Sequence, residues 1–95
     1  MTLIPAEEIP TFLDKLPGWT HEGHEIVKVY ELQSFPGAIS FVTWVGFLAE
    51  KADHHPDIDI RWRKVRVKLS THSEGGITDK DLDLALKIDG IAGTA

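Results

Sequence analysis

The chain has 95 residues, 42% of them hydrophobic and 26% charged, with a formal net charge of −5 and no cysteine. Those values describe one small globular domain, residues 1–95, and exclude a disordered tail, a disulfide-stapled scaffold and a thiolate metal site. The acidic total speaks against direct nucleic-acid binding, although basic residues gather at Arg61-Trp62-Arg63-Lys64-Val65-Arg66-Val67-Lys68.

No repeat or low-complexity linker interrupts the chain. The first helix is expected to open at Pro5-Ala-Glu-Glu, capped by Thr2 or a residue beside it, with acidic side chains suited to the helix dipole. Pro10 limits that helix or shifts its start, and Leu16-Pro17-Gly18 ends it. A hairpin follows, turning near Gly23-His24. Its second strand points Ile26, Lys28, Tyr30 and Leu32 one way, and Val27, Val29 and Glu31 the other.

Ser34 and Pro36 mark the start of a second helix that should run to about Ala52. Its apolar pattern is broken by Gly37, Ser40, Thr43, Gly46, Glu50 and Lys51, so it is no membrane span. At 100° per residue, Ile39, Val42, Val45 and Ala49 form the expected core stripe, whereas Trp44 and Phe47 fall on the far side. A helix apolar over most of its circumference suggests burial on two sides, and so an oligomer joined through it. The N-terminus MTLIPAEEIP has neither the basic start nor the apolar run of a signal peptide, and a cytoplasmic location is expected.

Ile58, Ile60 and Trp62 alternate in phase, while Val65, Val67 and Leu69 alternate on odd numbers. Side-chain direction has period two, so the change at Arg63-Lys64 requires a turn or a bulge, and a turn is chosen. Thr78-Asp-Lys-Asp caps a third helix carrying Leu82, Leu84, Ala85, Leu86 and Ile88. The predicted fold is α+β, in the order α-β-β-α-β-β-α. Its four-stranded antiparallel sheet has three helices packed on one face.

Five histidines divide into two groups. His21 and His24 flank a hairpin turn and read as exposed turn residues. His54 and His55 lie where the second helix gives way to the third strand, and Pro56 biases His55 toward an extended backbone. His72 lies just beyond the fourth strand, on even parity with Lys64, Arg66 and Lys68. Because strands three and four are hairpin partners, the start of one meets the end of the other, and His55 and His72 should be neighbours. Three converging imidazoles suit metal-free proton transfer near neutrality. Zinc is the rival; the spacing offers no positive signature for it and does not exclude it. Asp81 stands where an acidic side chain completes a capping box, and Gly75-Gly76 reads as a turn rather than a phosphate cradle.

Glu50-Lys-Ala-Asp-His-His-Pro-Asp, Trp62-x-x-Val65, Leu69-x-Thr71-His72 and Gly75-Gly-Ile-Thr-x-x-Asp81 together resemble the pterin-4a-carbinolamine dehydratases, as does Gly18-Trp19. The resemblance spans nearly the whole chain. It implies dehydration of a 4a-hydroxytetrahydropterin to the quinonoid dihydropterin, in recycling of a tetrahydrobiopterin-type cofactor, with no metal and no organic cofactor. It implies a catalytic set of His54, His55 and His72, with Asp81 orienting the site. Within it, His54 and His72 are assigned to acid–base transfer and His55 to holding the pterin. Substrate contacts are expected from Trp19, Glu50, Pro56, Thr71, Ser73 and Glu74 as well. Animal relatives also serve as dimerisation cofactors of a transcription factor, so a binding-module role is the alternative.

Overall fold

The computed structural model describes residues 2–93 and follows the predicted order of elements. A 3-10 turn, Ala6–Glu8, passes directly into α1, Ile9–Leu13. Pro10 sits in the first turn of α1, where its missing N–H leaves no bond unmade. The expected cap at Thr2 is absent: the 3-10 turn starts after Pro5 with no side-chain cap bond, and α1 has none either.

The sheet comprises β1 (Thr20–Glu22), β2 (Glu25–Glu31), β3 (Asp57–Arg61) and β4 (Lys64–Leu69), in the spatial order β1-β2-β4-β3 and antiparallel throughout. Ile26 pairs with Leu69, Lys28 with Val67 and Tyr30 with Val65, so the even positions of β2 share a face with the odd positions of β4. That face carries the core. The opposite face is laced with charge, including Arg63 to Glu31 at 2.8 Å and Arg66 to Glu22 at 3.3 Å.

Arg61 pairs with Lys64, leaving Trp62-Arg63 as a two-residue turn. Trp62 takes φ 58°, the left-handed conformation that tight hairpins of right-twisted strands demand. The turn accounts for the parity change, and it removes Trp62 from the row begun by Ile58 and Ile60. Trp62 is 74% exposed, with the Arg63 guanidinium 5.8 Å from its ring.

The second helix, α2, runs Phe35–Ala52, and Ser34 Oγ accepts the Gly37 N–H at 3.0 Å. Its core stripe is rotated from the predicted one. Ala38, Phe41, Val45 and Ala49 are buried, whereas Ile39 is exposed. Ile39 lies 100° around the helix from Ala38, and a helix apolar nearly all round gives little to distinguish these two settings. The Phe41 ring lies 4.8 Å from that of Tyr30. Burying a side chain of that size contributes about 1.5–3 kcal/mol.

The third helix, α3 (Asp79–Ala92), buries Leu84, Ala85 and Ile88 and leaves Leu86 exposed. Helices and sheet share one core, with Ile9 and Leu16 at the α1 end and Val65, Val67 and Leu69 on the floor. Among the described residues, no helix is long and apolar enough to cross a membrane.

Candidate active site

The exit from α2 sets the histidine pair. Asp53 adopts φ 51°, and its N–H donates back to Ala49 and Glu50. His54 N–H also donates to the Ala49 carbonyl, at 3.0 Å. This tight reversal sends adjacent side chains into different surroundings. His54 is buried, whereas the His55 ring is 60% exposed and its Nε2 meets Glu50 Oε1 at 2.9 Å.

His54 reaches inward to the first turn of α3. Its Nε2 lies 2.5 Å from Oδ1 of Asp81, which is 0% exposed. Asp81 Oδ2 accepts the Thr71 hydroxyl at 2.8 Å and the Thr78 backbone N–H at 2.9 Å. The carboxylate therefore completes the predicted capping box and also holds a histidine. A carboxylate accepts and does not donate, so the neutral His54 ring carries its proton on Nε2. Nδ1 is the nitrogen not committed to Asp81.

His72 arrives from the other side. Beyond β4, Thr71 bridges to Gly76, donating its N–H to the Gly76 carbonyl at 2.7 Å. The short loop so closed holds a 3-10 turn, His72–Glu74. Gly75 ends that turn at φ 74°, a conformation glycine adopts without a Cβ clash. At Gly76 a Cβ would stand 2.9 Å from the Leu3 side chain, so close packing joins flexibility as a reason for the pair.

Asp53, His54, His55, Ser70, Thr71, His72, Ser73 and Lys80 line an open depression of about 260 Å³. His54, His55, His72, Thr71 and Ser73 are thus brought together, and Glu50 reaches the rim through His55. Pro56 and Glu74 adjoin the depression in sequence but do not line it. Trp19 does not border it: its ring is buried, and its Nε1 donates to both Asp89 oxygens at 3.2 Å. The same carboxylate accepts from Lys28 at 2.9 Å and Tyr30 at 2.5 Å. Burial first, and then Asp89, push the Tyr30 hydroxyl well above the usual tyrosine range.

Sequence reasoning missed Ser70 and Lys80. Lys80 occupies one of the unspecified positions between Thr78 and Asp81, where the capping pattern carries no information about it. Among the described residues, no three His, Cys, Asp or Glu side chains are grouped to hold a metal ion.

The family profile for pterin 4 alpha carbinolamine dehydratase matches residues 2–91. A Roseiflexus castenholzii protein, provisionally named for the same activity, is 60% identical over 94% of this chain and 96% of its own length. A Nocardia farcinica protein with the same provisional name is 53% identical over 95% of each chain. The crystal structure of a transcriptional coactivator/pterin dehydratase from Brucella melitensis superposes with a TM-score of 0.93. It is 33% identical and covers 97% of this chain and 100% of the other. A pterin dehydratase-like RuBisCO assembly factor of the alpha-carboxysome shares the fold, with a TM-score of 0.67 at 18% identity over 81% of this chain and 89% of that one. With the profile matched over residues 2–91 and identities of 53% and 60% over nearly the full length, this chain belongs to the pterin-4-alpha-carbinolamine dehydratase family.

Proposed function

We propose that the protein dehydrates a 4a-hydroxytetrahydropterin to the quinonoid dihydropterin by histidine acid–base chemistry, in recycling of a tetrahydrobiopterin-type cofactor. The supporting observation is the His54–Asp81 pair beside an open depression that also holds His72. Asp81 commits one ring nitrogen of His54, which leaves Nδ1 to accept a proton. On this reading Nδ1 takes the N5 proton while His72 delivers a proton to the 4a-hydroxyl. The C4a–O bond breaks, the electron pair from N5–H forms the C4a–N5 double bond, and water leaves. Each placed acid or base contributes about 10²–10⁴-fold.

His55, tied to Glu50 at the rim, steadies the pterin, and Ser73 and Lys80 offer further polar contacts around it. A cytoplasmic setting belongs to the same proposal, on the grounds of the cysteine-free composition; cell fractionation tests it. The deciding experiment follows decay of the 4a-carbinolamine with and without the protein. Acceleration is expected, and decay at the uncatalysed rate would remove the dehydratase assignment.

The surface of α2 supports an assembly. Trp44 is 60% and Phe47 64% exposed, their rings 5.9 Å apart, and Ile39 and Phe35 are exposed on the same helix. A monomer would carry a large apolar patch for its size, and pairing about a two-fold axis is the common remedy. Homodimers or homotetramers joined through α2 are the proposed state. Trp44→Glu should shift the mass seen by light scattering downward, and a monomeric wild type at micromolar concentration would refute the arrangement. The same face favours a second reading, a binding module, since the Brucella melitensis relative is described as a coactivator too. In that case changes at Trp44 and Phe47 abolish partner binding while dehydration persists.

A further inference from the structure

Two hydroxyls lie behind Asp81, and their proton directions are fixed by the partners present. Thr71 Oγ1 sits 2.8 Å from Asp81 Oδ2 and 2.7 Å from Thr78 Oγ1, and all three residues are buried. A hydroxyl has one proton to give. If Thr71 spent it on Thr78, its contact with Asp81 would oppose two acceptors. Thr71 therefore donates to Asp81, and Thr78 donates to Thr71. Thr78 Oγ1 in turn accepts the Lys80 backbone N–H at 3.3 Å. The chain runs one way, from the Lys80 amide through both threonines to Asp81.

Thr71 also occupies a joint. Its carbonyl accepts the N–H groups of Glu74 at 2.9 Å and Gly75 at 3.0 Å, and its N–H binds Gly76, so its backbone folds the loop that carries His72. Its side chain meanwhile holds the carboxylate that His54 uses. One buried residue thus links the mounts of both histidines assigned to proton transfer.

We propose that Thr71 is a positioning residue: its hydroxyl, oriented by Thr78, turns Asp81 Oδ1 toward His54 and fixes that imidazole as the Nε2–H tautomer, with Nδ1 directed to the substrate proton. This rests on the dehydratase reading above for its catalytic meaning, but the hydrogen-bond chain is tested separately. Nitrogen-15 spectra of the histidine rings in the full chain, at a pH where His54 is neutral, report the tautomer directly. Wild type should show Nε2–H; Nδ1–H there would overturn the proposal whatever the variants do. Thr71→Val keeps the volume and removes the hydroxyl. It should mix the tautomers and lower kcat by about 10²-fold, the scale of a small misplacement, with KM little changed. Thr71→Ser restores the hydroxyl and should return both readouts close to wild type. Equal damage from Val and Ser would mean that the methyl packing matters instead, and a wild-type kcat in the Val variant would equally refute the role. Should the Val variant not fold, the wild-type tautomer and the Ser variant still decide. Wild-type protein that leaves the carbinolamine decay unaccelerated overturns the dehydratase reading alone, since the tautomer spectra still judge the chain.

Discussion

Helix α3 places two aspartates about two turns apart, and each gathers side-chain donors from elsewhere in the fold. Asp89 accepts from Trp19, Lys28 and Tyr30, which are anchored in α1's exit loop and in β2. Lys28 also donates to the Pro17 carbonyl at 2.9 Å, so this cluster ties the loop to the sheet and helix. Asp81 accepts from His54 and Thr71. The difference lies in what each partner has left over. At Asp89 no partner is an imidazole, and none lines the depression. At Asp81 one partner is an imidazole with a second nitrogen uncommitted and a depression beside it. Similar hydrogen bonding therefore builds a brace at one end of the helix and, on the proposed reading, a proton-transfer site at the other.

Changes at the Asp81 end should give the largest effects. His54→Ala is expected to lower turnover by about 10²–10⁴-fold. It also leaves a buried acceptor on Asp81 without its donor, so stability should fall by about 1–3 kcal/mol. His72→Ala gives a cleaner test, because His72 is exposed and its loss should reduce turnover strongly with little change in melting temperature. A variant of either histidine that keeps wild-type turnover leaves the acid–base pair. Treatment with a chelator should change nothing; activity lost with EDTA and recovered with zinc would place metal chemistry at this site.

Asp89→Ala should invert that pattern. Removing the acceptor strands Lys28 and Tyr30 in a partly buried setting, at a cost on the order of 3 kcal/mol, the lower end for a broken buried pair. Dehydration by the folded fraction should stay at the wild-type rate. Denaturant titration combined with the carbinolamine assay separates the two, and a comparable fall in kcat would show that the brace also shapes the site.

The sequence carried one half of this comparison better than the other. Element order, the Ser34 and Thr78 caps and a turn between β3 and β4 were legible because they depend on local periodicity and on residue types with few backbone options, but the turn falls at Trp62-Arg63, one residue before the expected Arg63-Lys64. Convergence of His54, His55 and His72 was legible because hairpin pairing relates distant positions. The Asp89 cluster was not, because Trp19, Lys28 and Tyr30 meet Asp89 across 59 to 70 positions and no pattern announces such contacts. Trp19 was consequently placed beside the substrate when its indole N–H points to Asp89. For His54-His55 the sequence carried no difference in burial; the left-handed Asp53 exit separates a buried ring from an exposed one.

Tyr30 offers a smaller test of the brace, through pH. Its ionisation is raised in the folded protein, so its stabilising effect is complete below the ordinary value of 10.0 and is lost as pH rises beyond it. Stability of the wild type should therefore decline above about pH 10 more steeply than that of Tyr30→Phe. Tyr30 is the only tyrosine in the chain, so tyrosinate absorbance follows it without ambiguity. Near neutrality the Phe variant should be weaker by about 1.5–3 kcal/mol for the lost bond to a charged acceptor. Parallel alkaline profiles in the two proteins would mean that Tyr30 ionises normally and that Asp89 does not restrain it.

Glu50 supplies a third carboxylate, and the smallest expected effect. It pairs with His55 at 2.9 Å, like Asp81 with His54, but the two side chains are 82% and 60% exposed. Water and salt screen such a pair, and its contribution to stability is about 0–1 kcal/mol. Glu50→Gln should therefore leave the melting temperature almost unchanged. If His55 holds the pterin rather than transferring protons, loosening its ring should raise KM modestly and leave kcat near wild type, because binding then weakens equally in the ground and transition states. Steady-state kinetics on the variant make the distinction. A fall in kcat as large as that of His54→Ala would give Glu50–His55 the same standing as Asp81–His54, and the division of roles between His54 and His55 would not hold.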